Sequence, residues 1–272
     1  MGLAGIVAIK MDFDPQLTEE VRLSFRDELR EARLKAQKDA EAFEDIVFVL
    51  ERLGALLSPD AIGLKQKYPA IAKVASKSPL ASEVPEAWRE LHTPFEKLYD
   101  LVREARNGAM HENAVARYTT DRAIELSIVL ENALMNGNDK VSDFMVRNPV
   151  CAAMWQPLSF IRQTILTSSF SCLPVEARDH AKSWHLVSDK AVALYLRLRS
   201  NGVESKERLK KPLKNAVADT DGLKLIQAIT CQDTDAVEKV LRLWDGKEGL
   251  PVLVMRGETD ELVGIVTPYD LL

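Results

Sequence analysis

From Asp14 to about Asn136 the apolar residues recur at helical spacing. Val21, Phe25, Leu29 and Ala32 fall on one stripe, and Phe43, Ile46, Val47, Leu50 and Leu53 continue it to Leu57. Asp14-Pro15 suits a helix cap followed by a first-turn proline, and Ser58-Pro59-Asp60 suits a stop. A shorter helix is expected over Ala61–Ser76. Ser78-Pro79 and Val84-Pro85 punctuate a loop. A helix is expected from Pro85 to about Arg106, with Trp88, Leu91, Phe95, Leu98 and Leu101 at core spacing. The last runs from about Thr120 to Met135, with Ile124, Ile128 and Leu130 inward. Asn136-Gly137-Asn138-Asp139 reads as a turn or linker.

The pattern changes at Val141. Apolar runs become short and strand-like: Val150-Cys151-Ala152, Cys172–Val175 and His185–Val187, with helical stretches at Leu158–Thr167 and Lys190–Leu198. A similar order follows, with strands at Leu225–Ile229, Gly249–Met255 and Leu262–Val266 and a helix at Asp235–Leu243, so an imperfect internal repeat is expected. Ser200–Lys214, polar and basic, reads as a solvated joint, with a contribution to an anion or nucleic-acid surface as the sharper alternative. The expected class is α+β: an all-α bundle over residues 1–140, then an α/β pair over 141–272 with copies at about 141–199 and 210–272.

Composition narrows the function classes. Hydrophobic residues at 46% and charged residues at 28% suit an ordinary soluble globular chain. No apolar run reaches the roughly 18 residues needed to span a membrane. The opening MGLAGIVAIKMDF lacks a basic start and an adequate apolar run for a signal peptide. A net charge of −5 argues against coating nucleic acid through overall charge, though not against a local basic groove. Cys151, Cys172 and Cys231 have no paired spacing, so neither a zinc site nor a disulfide framework is expected. These features point to the cytoplasm. His180 and His185 lie near Glu176 and Asp179 without an evident third ligand, so no metal is expected. Tyr118 could stack an RNA base, and a packed aromatic is the plainer reading.

Val141–Val150, followed after a helix by Ser171-Cys172-Leu173-Pro174-Val175, resembles the first half of a CBS domain. In the second copy, Leu250-Pro251-Val252 and Leu262-Val263-Gly264-Ile265-Val266-Thr267-Pro268-Tyr269-Asp270-Leu271 resemble the strand and the closing strand-turn-helix with its Gly-x-x-Thr-x-x-Asp element. The resemblance implies an intramolecular pair that binds an adenine nucleotide (AMP, ADP or ATP) or S-adenosylmethionine, or serves only dimerisation. Thr267 would offer a hydroxyl and a helix N-terminus to phosphate, and Asp270 a carboxylate to the ribose hydroxyls. In the first copy Ser188 keeps the hydroxyl, but Ala191 stands where the carboxylate belongs. The plainer reading of Asp270 is a helix cap.

One further motif carries chemistry: Arg106-Asn107-Gly108-Ala109-Met110-His111. Metal-free RNA cleavage needs a group that exchanges protons near neutral pH and a fixed cation for the charge growing on phosphate. Histidine and arginine suit those roles. On an ideal helix, positions 106 and 111 point roughly 140° apart, so a two-fold dimer would complete such a site better than one helix. Arg-Asn-x-x-x-His in a helical bundle resembles the HEPN family. That resemblance implies a dimeric, metal-independent endoribonuclease with Arg106, Asn107 and His111 at its site, a toxin or defence effector controlled by the CBS pair. RNA would be its substrate and an antitoxin or regulator its partner. The plainer reading has His111 capping a helix and Arg106 in a surface ion pair with Glu residues such as Glu104. The competing class is a non-catalytic nucleotide sensor or scaffold whose bundle only dimerises or binds a partner.

Overall fold

The computed structural model describes residues 14–107, 113–179, 181–197, 205–245, 249–257 and 261–272. The chain divides into two compact units, Met1–Asn138 and Asp139–Leu272.

The first unit is helical: α1 (Glu19–Lys38), α2 (Phe43–Leu57), α3 (Gly63–Ala75), α4 (Glu83–Ala87), α5 (Phe95–Asn107) and α6 (Asn113–Met135). Thr18 caps α1 by accepting from the Val21 N–H, and Glu19 and Glu20 in the first turn oppose Lys35 and Lys38 in the last. The continuous stripe expected to Leu57 is two helices. Asp39 leaves helical geometry, and its carboxylate accepts from the Glu41 N–H, which starts a 3-10 turn over Ala40–Ala42. The core holds Leu29, Ile46, Leu50, Leu53, Leu98, Tyr99, Leu126 and Leu130, all essentially solvent-free. Each such side chain contributes about 1.5–3 kcal/mol on burial. Arg33 grips Glu131 through two hydrogen bonds of 2.7 and 2.9 Å, and Ser127 donates to the same carboxylate at 3.0 Å. This polar lock fixes α1 on α6.

Two expectations for the bundle fail. Trp88 and Leu91, read as core, are 62% and 75% exposed. The helix stops at Ala87, where Trp88 leaves helical geometry and its N–H donates to the Val84 carbonyl. Thr93, before Pro94, is driven out of helical geometry, so α5 starts only at Phe95. Ile128, read as inward, is exposed too.

The second unit contains α7 (Val141–Phe144), β1 (Val146–Arg147), α8 (Leu158–Ser168), β2 (Cys172–Asp179), β3 (Ala181–Ser188), α9 (Asp189–Arg197), α10 (Ser205–Lys210) and α11 (Leu213–Ala218). β4 (Ile226–Gln227), β5 (Ile229–Gln232), α12 (Val237–Trp244), β6 (Val252–Arg256), β7 (Glu261–Val266) and a 3-10 turn at Pro268–Leu271 follow. The sheets have the orders β1-β7-β6-β5 and β2-β3-β4. The copies therefore exchange their first strands: β1 of the first copy pairs with β7, and β4 of the second pairs with β3. Within copies, the parallel bridge of Ala152 with Val175 matches that of Cys231 with Val254.

This register sets the equivalences of the repeat. Leu173 pairs with Val187 as Val252 pairs with Val266, so Leu173 corresponds to Val252 rather than to Leu250. The two Leu-Pro-Val runs are thus out of step by two places. Pro174 sits inside β2, where its carbonyl accepts from the Ala152 N–H, whereas Pro251 precedes β6. A bulge between Val254 and Met255 takes up irregularity in the second hairpin. The exchange also needs Gly264. A Cβ there would overlap the Met145 side chain that packs on β7.

Candidate functional site

β7 ends at Val266, and the chain turns at once. The Thr267 N–H and the Thr267 Oγ1 hydroxyl both donate to Asp270 Oδ2, each at 2.7 Å. Asp270 is only 8% exposed, although Tyr269 beside it is 51% exposed. Buried carboxylates persist only where hydrogen bonds hold them, so the two donors fix the group at the strand end. Pro268 lies against Gly249, and the Trp244 Nε1–H donates to the Leu250 carbonyl at 2.7 Å, which closes the entry to β6 around the turn. Asp270 caps this turn, as its plainer reading expects. The segment it caps, Pro268–Leu271, is a four-residue 3-10 turn. The turn sets a hydroxyl beside a fixed carboxylate, suited to accepting two hydrogen bonds from a vicinal diol.

The first copy places Ser188 at the same point: β3 ends on it, as β7 ends just before Thr267. Ser188 is buried, and its Oγ accepts from the Ala191 N–H at 3.1 Å. Ala191 fills the position of Asp270, so this hydroxyl serves as a plain cap with no carboxylate across from it.

Residues 224–272 match the model of the CBS domain. No curated protein matches the chain significantly. Among solved structures, the chain is similar to a CBS domain-containing protein of unknown function from Bacillus anthracis, at 15% identity and a TM-score of 0.39, covering 49% of this chain and 90% of that one. It is similar to a CBS-domain containing protein from Agrobacterium tumefaciens, at 14% identity and a TM-score of 0.36, covering 49% and 90%. It is also similar to CBSX2, solved in complex with AMP, at 17% identity and a TM-score of 0.36, covering 49% and 93%. The matched CBS segment thus includes β4 to β7 and the Thr267–Asp270 turn.

Sequence reasoning missed what fastens the segment before this CBS domain to α9 of the first copy. Arg208, in the joint read as solvated, is 5% exposed; it donates to the Tyr195 carbonyl and lies over the Tyr195 ring at 5.0 Å. The Tyr195 hydroxyl donates to Asp219, and Lys211 Nζ reaches both Asp219 oxygens at 2.6 and 2.9 Å. The Lys211 ammonium, then the Tyr195 hydroxyl, hold the Asp219 carboxyl below its usual range. The aromatic Tyr195 followed by a basic run was the only available signal.

In the helical unit, α5 reaches Asn107 and α6 begins at Asn113. His111 lies outside the described residues, as does the Asn107 side chain. Arg106 makes its ion pair with a glutamate, at 2.5 Å, and the partner is Glu51 of α2. Its side chain is 43% exposed, and a pair so open is worth about 0–1 kcal/mol. Arg106 therefore stands at the surface, held weakly. Tyr118 is exposed with the Arg122 guanidinium 5.4 Å from its ring centre. Among the described residues no group of three metal-ligating side chains exists, and no helix is long and apolar enough to cross a membrane.

Proposed function

We propose that this protein is an adenosyl-ligand sensor whose binding site lies at the Thr267–Asp270 turn, with the helical unit as its dimerisation or partner-binding module. The observation that carries the reading is the buried Asp270 carboxylate, fixed by two 2.7 Å hydrogen bonds from Thr267 at the close of the CBS domain. A ribose diol bound there would donate to that carboxylate, while the Thr267 hydroxyl would turn from the carboxylate to a ligand oxygen. The ligand class is an adenine nucleotide (AMP, ADP or ATP) or S-adenosylmethionine. The first copy does not fit the same group, because Ala191 supplies no acceptor. The reading therefore implies one ligand per chain.

The test is a thermal-shift panel of the full chain with AMP, ADP, ATP and S-adenosylmethionine. A ligand at a hundred times its Kd stabilises the protein by about 2.7 kcal/mol. At least one member of the panel raises Tm. A flat panel at millimolar ligand removes the sensing function.

A second reading follows from the half-exposed Arg106 at the end of α5. In it, Arg106, Asn107 and His111 form a metal-independent endoribonuclease site shared by two subunits, with RNA as substrate. It predicts RNA cleavage in EDTA that His111→Ala abolishes while the fold and dimer persist. Cleavage undiminished in that variant refutes it.

A further inference from the structure

β1 is bonded to β7 of the second copy, and Ala152, a few residues on, bridges to Val175 of β2 in the first. The segment Asn148–Cys151 therefore crosses from one copy to the other. Asn148 makes the turn in left-handed backbone, with φ 50°, and its N–H donates to the Val263 carbonyl at 3.2 Å. Beside this crossing lies an open cavity of about 440 Å³. Asn148 and Cys151 line it from the crossing, Glu176 and Trp184 from facing positions on β2 and β3, and Glu261 and Leu262 from the start of β7.

Two carboxylates line this space, and among the described residues no cationic side chain does. Arg256 stands opposite Glu261 in the ladder but reaches Asp233, 3.6 Å away. The negative charge is felt at Cys151. Desolvation, then the Glu176 carboxylate, pushes its thiol above the usual range, and the thiol donates to the Pro149 carbonyl at 3.3 Å. Trp184 brings an aromatic wall. Its Nε1–H is sealed from water and has no acceptor among the described residues, so the indole meets the cavity through carbon alone. An aromatic ring beside carboxylates attracts organic cations. The acidic cleft between α1 and α2 is different, because its charges are already answered. There Glu28 pairs with Arg52, and Lys35 with Glu31 at 3.1 Å and Asp45 at 3.5 Å.

We infer that this cavity binds a small organic cation, a guanidinium or alkylammonium head on an apolar stem. Glu176 and Glu261 accept hydrogen bonds from the head, and Trp184 and Leu262 cover the stem. The volume falls within the roughly 300–1,000 Å³ of small-ligand pockets. Among the described residues no group of three metal-ligating side chains forms here, so the carboxylates suit an organic head rather than a bare metal ion. The negative wall repels phosphate. Along β7, Leu262 precedes Thr267 by five residues, about 17 Å of extended chain. The site is thus separate from the Thr267–Asp270 turn and stands whether or not that turn binds a ribose.

The probe is n-butylguanidinium, titrated into the full chain by calorimetry, with n-butylurea as its neutral isostere. The guanidinium gives saturable heat and the urea none. Added salt weakens the binding, because part-exposed charges are screened. The double variant E176Q/E261Q keeps the shape of the wall and removes both charges. It binds at least about tenfold more weakly, the equivalent of 1.4 kcal/mol. Trp184→Leu weakens binding as well, and Trp184→Phe, which keeps a π-face, restores most of it. Glu261 is exposed, so Glu261→Gln alone tests the charge in a chain that folds as before, and it too binds the guanidinium more weakly. Circular dichroism and melting check the fold of each variant. Equal heat from n-butylurea, undiminished binding by E176Q/E261Q and by Glu261→Gln, or no saturation at millimolar guanidinium overturns the inference.

Discussion

Replacing Ala191 with Asp rebuilds in the first copy the cap that the second copy already has. Ser188 Oγ now accepts a single hydrogen bond, from the Ala191 N–H at 3.1 Å. In the second copy the Asp270 carboxylate accepts both from the Thr267 N–H and from its hydroxyl at 2.7 Å. An aspartate at 191 would accept from the Ser188 main chain and hydroxyl in the same way. A completed cap of this kind contributes about 1 kcal/mol, and the first turn of the nine-residue α9 adds about 0.3–1 kcal/mol for a negative charge. Repulsion from Asp189, exposed two residues earlier, takes back a few tenths. The expected gain is therefore about 1 kcal/mol, or a rise in Tm of about 2–5 °C for a unit of this size. Calorimetric melting measures it. Ligand titration of the same variant then counts sites, and the account expects two per chain where the natural chain has one. A variant no more stable than the natural chain, with the site count unchanged, refutes the equivalence of Ser188–Ala191 with Thr267–Asp270.

Gly264→Ala forces a methyl into Met145 and should cost about 1–3 kcal/mol by urea unfolding, most of it recovered when Met145→Ala is added. Glu131→Ala strips the carboxylate from Arg33, whose side chain is 8% exposed, and should cost about 3–5 kcal/mol in the helical unit by the same measurement. Asp219 has its carboxyl lowered from 3.8 by Lys211 and Tyr195. A group lowered on folding contributes stability that is present above its unfolded value and lost as pH falls through the folded one. Acid titration below about pH 4 should thus destabilise the natural chain, and Asp219→Asn should flatten that part of the profile.

Spacing revealed the helices because each buries one face, and the stripe Phe43, Ile46, Leu50 and Leu53 is core as its period implies. Spacing did not show where a helix ends. Trp88 and Leu91 keep the period past Ala87, yet Trp88 leaves helical geometry, and both side chains face water. The strand pairing of the repeat was legible only in part. β1 and β4 are two residues each, too short for any period, and their partners lie in the opposite copy. The Leu-Pro-Val likeness misled by two places because the register is set by hydrogen bonds to Val187 and Val266, not by the proline. At the site, Thr267 and Asp270 were visible as a motif, and so was the loss of the carboxylate at Ala191. The burial of Arg208 was hidden because its partner is a main-chain carbonyl, which leaves no mark in the sequence.

The most direct test of the sensing reading is titration calorimetry of the full chain with AMP, ATP and S-adenosylmethionine, set beside Asp270→Asn. Asparagine keeps an acceptor for Thr267 and so spares much of the cap, but it removes the charge that a ribose diol would use. The account predicts saturable heat with at least one ligand at one site per chain, lost or weakened at least about tenfold in the variant, or 1.4 kcal/mol. Equal binding by Asp270→Asn, or no heat from any ligand in the natural chain, would contradict it.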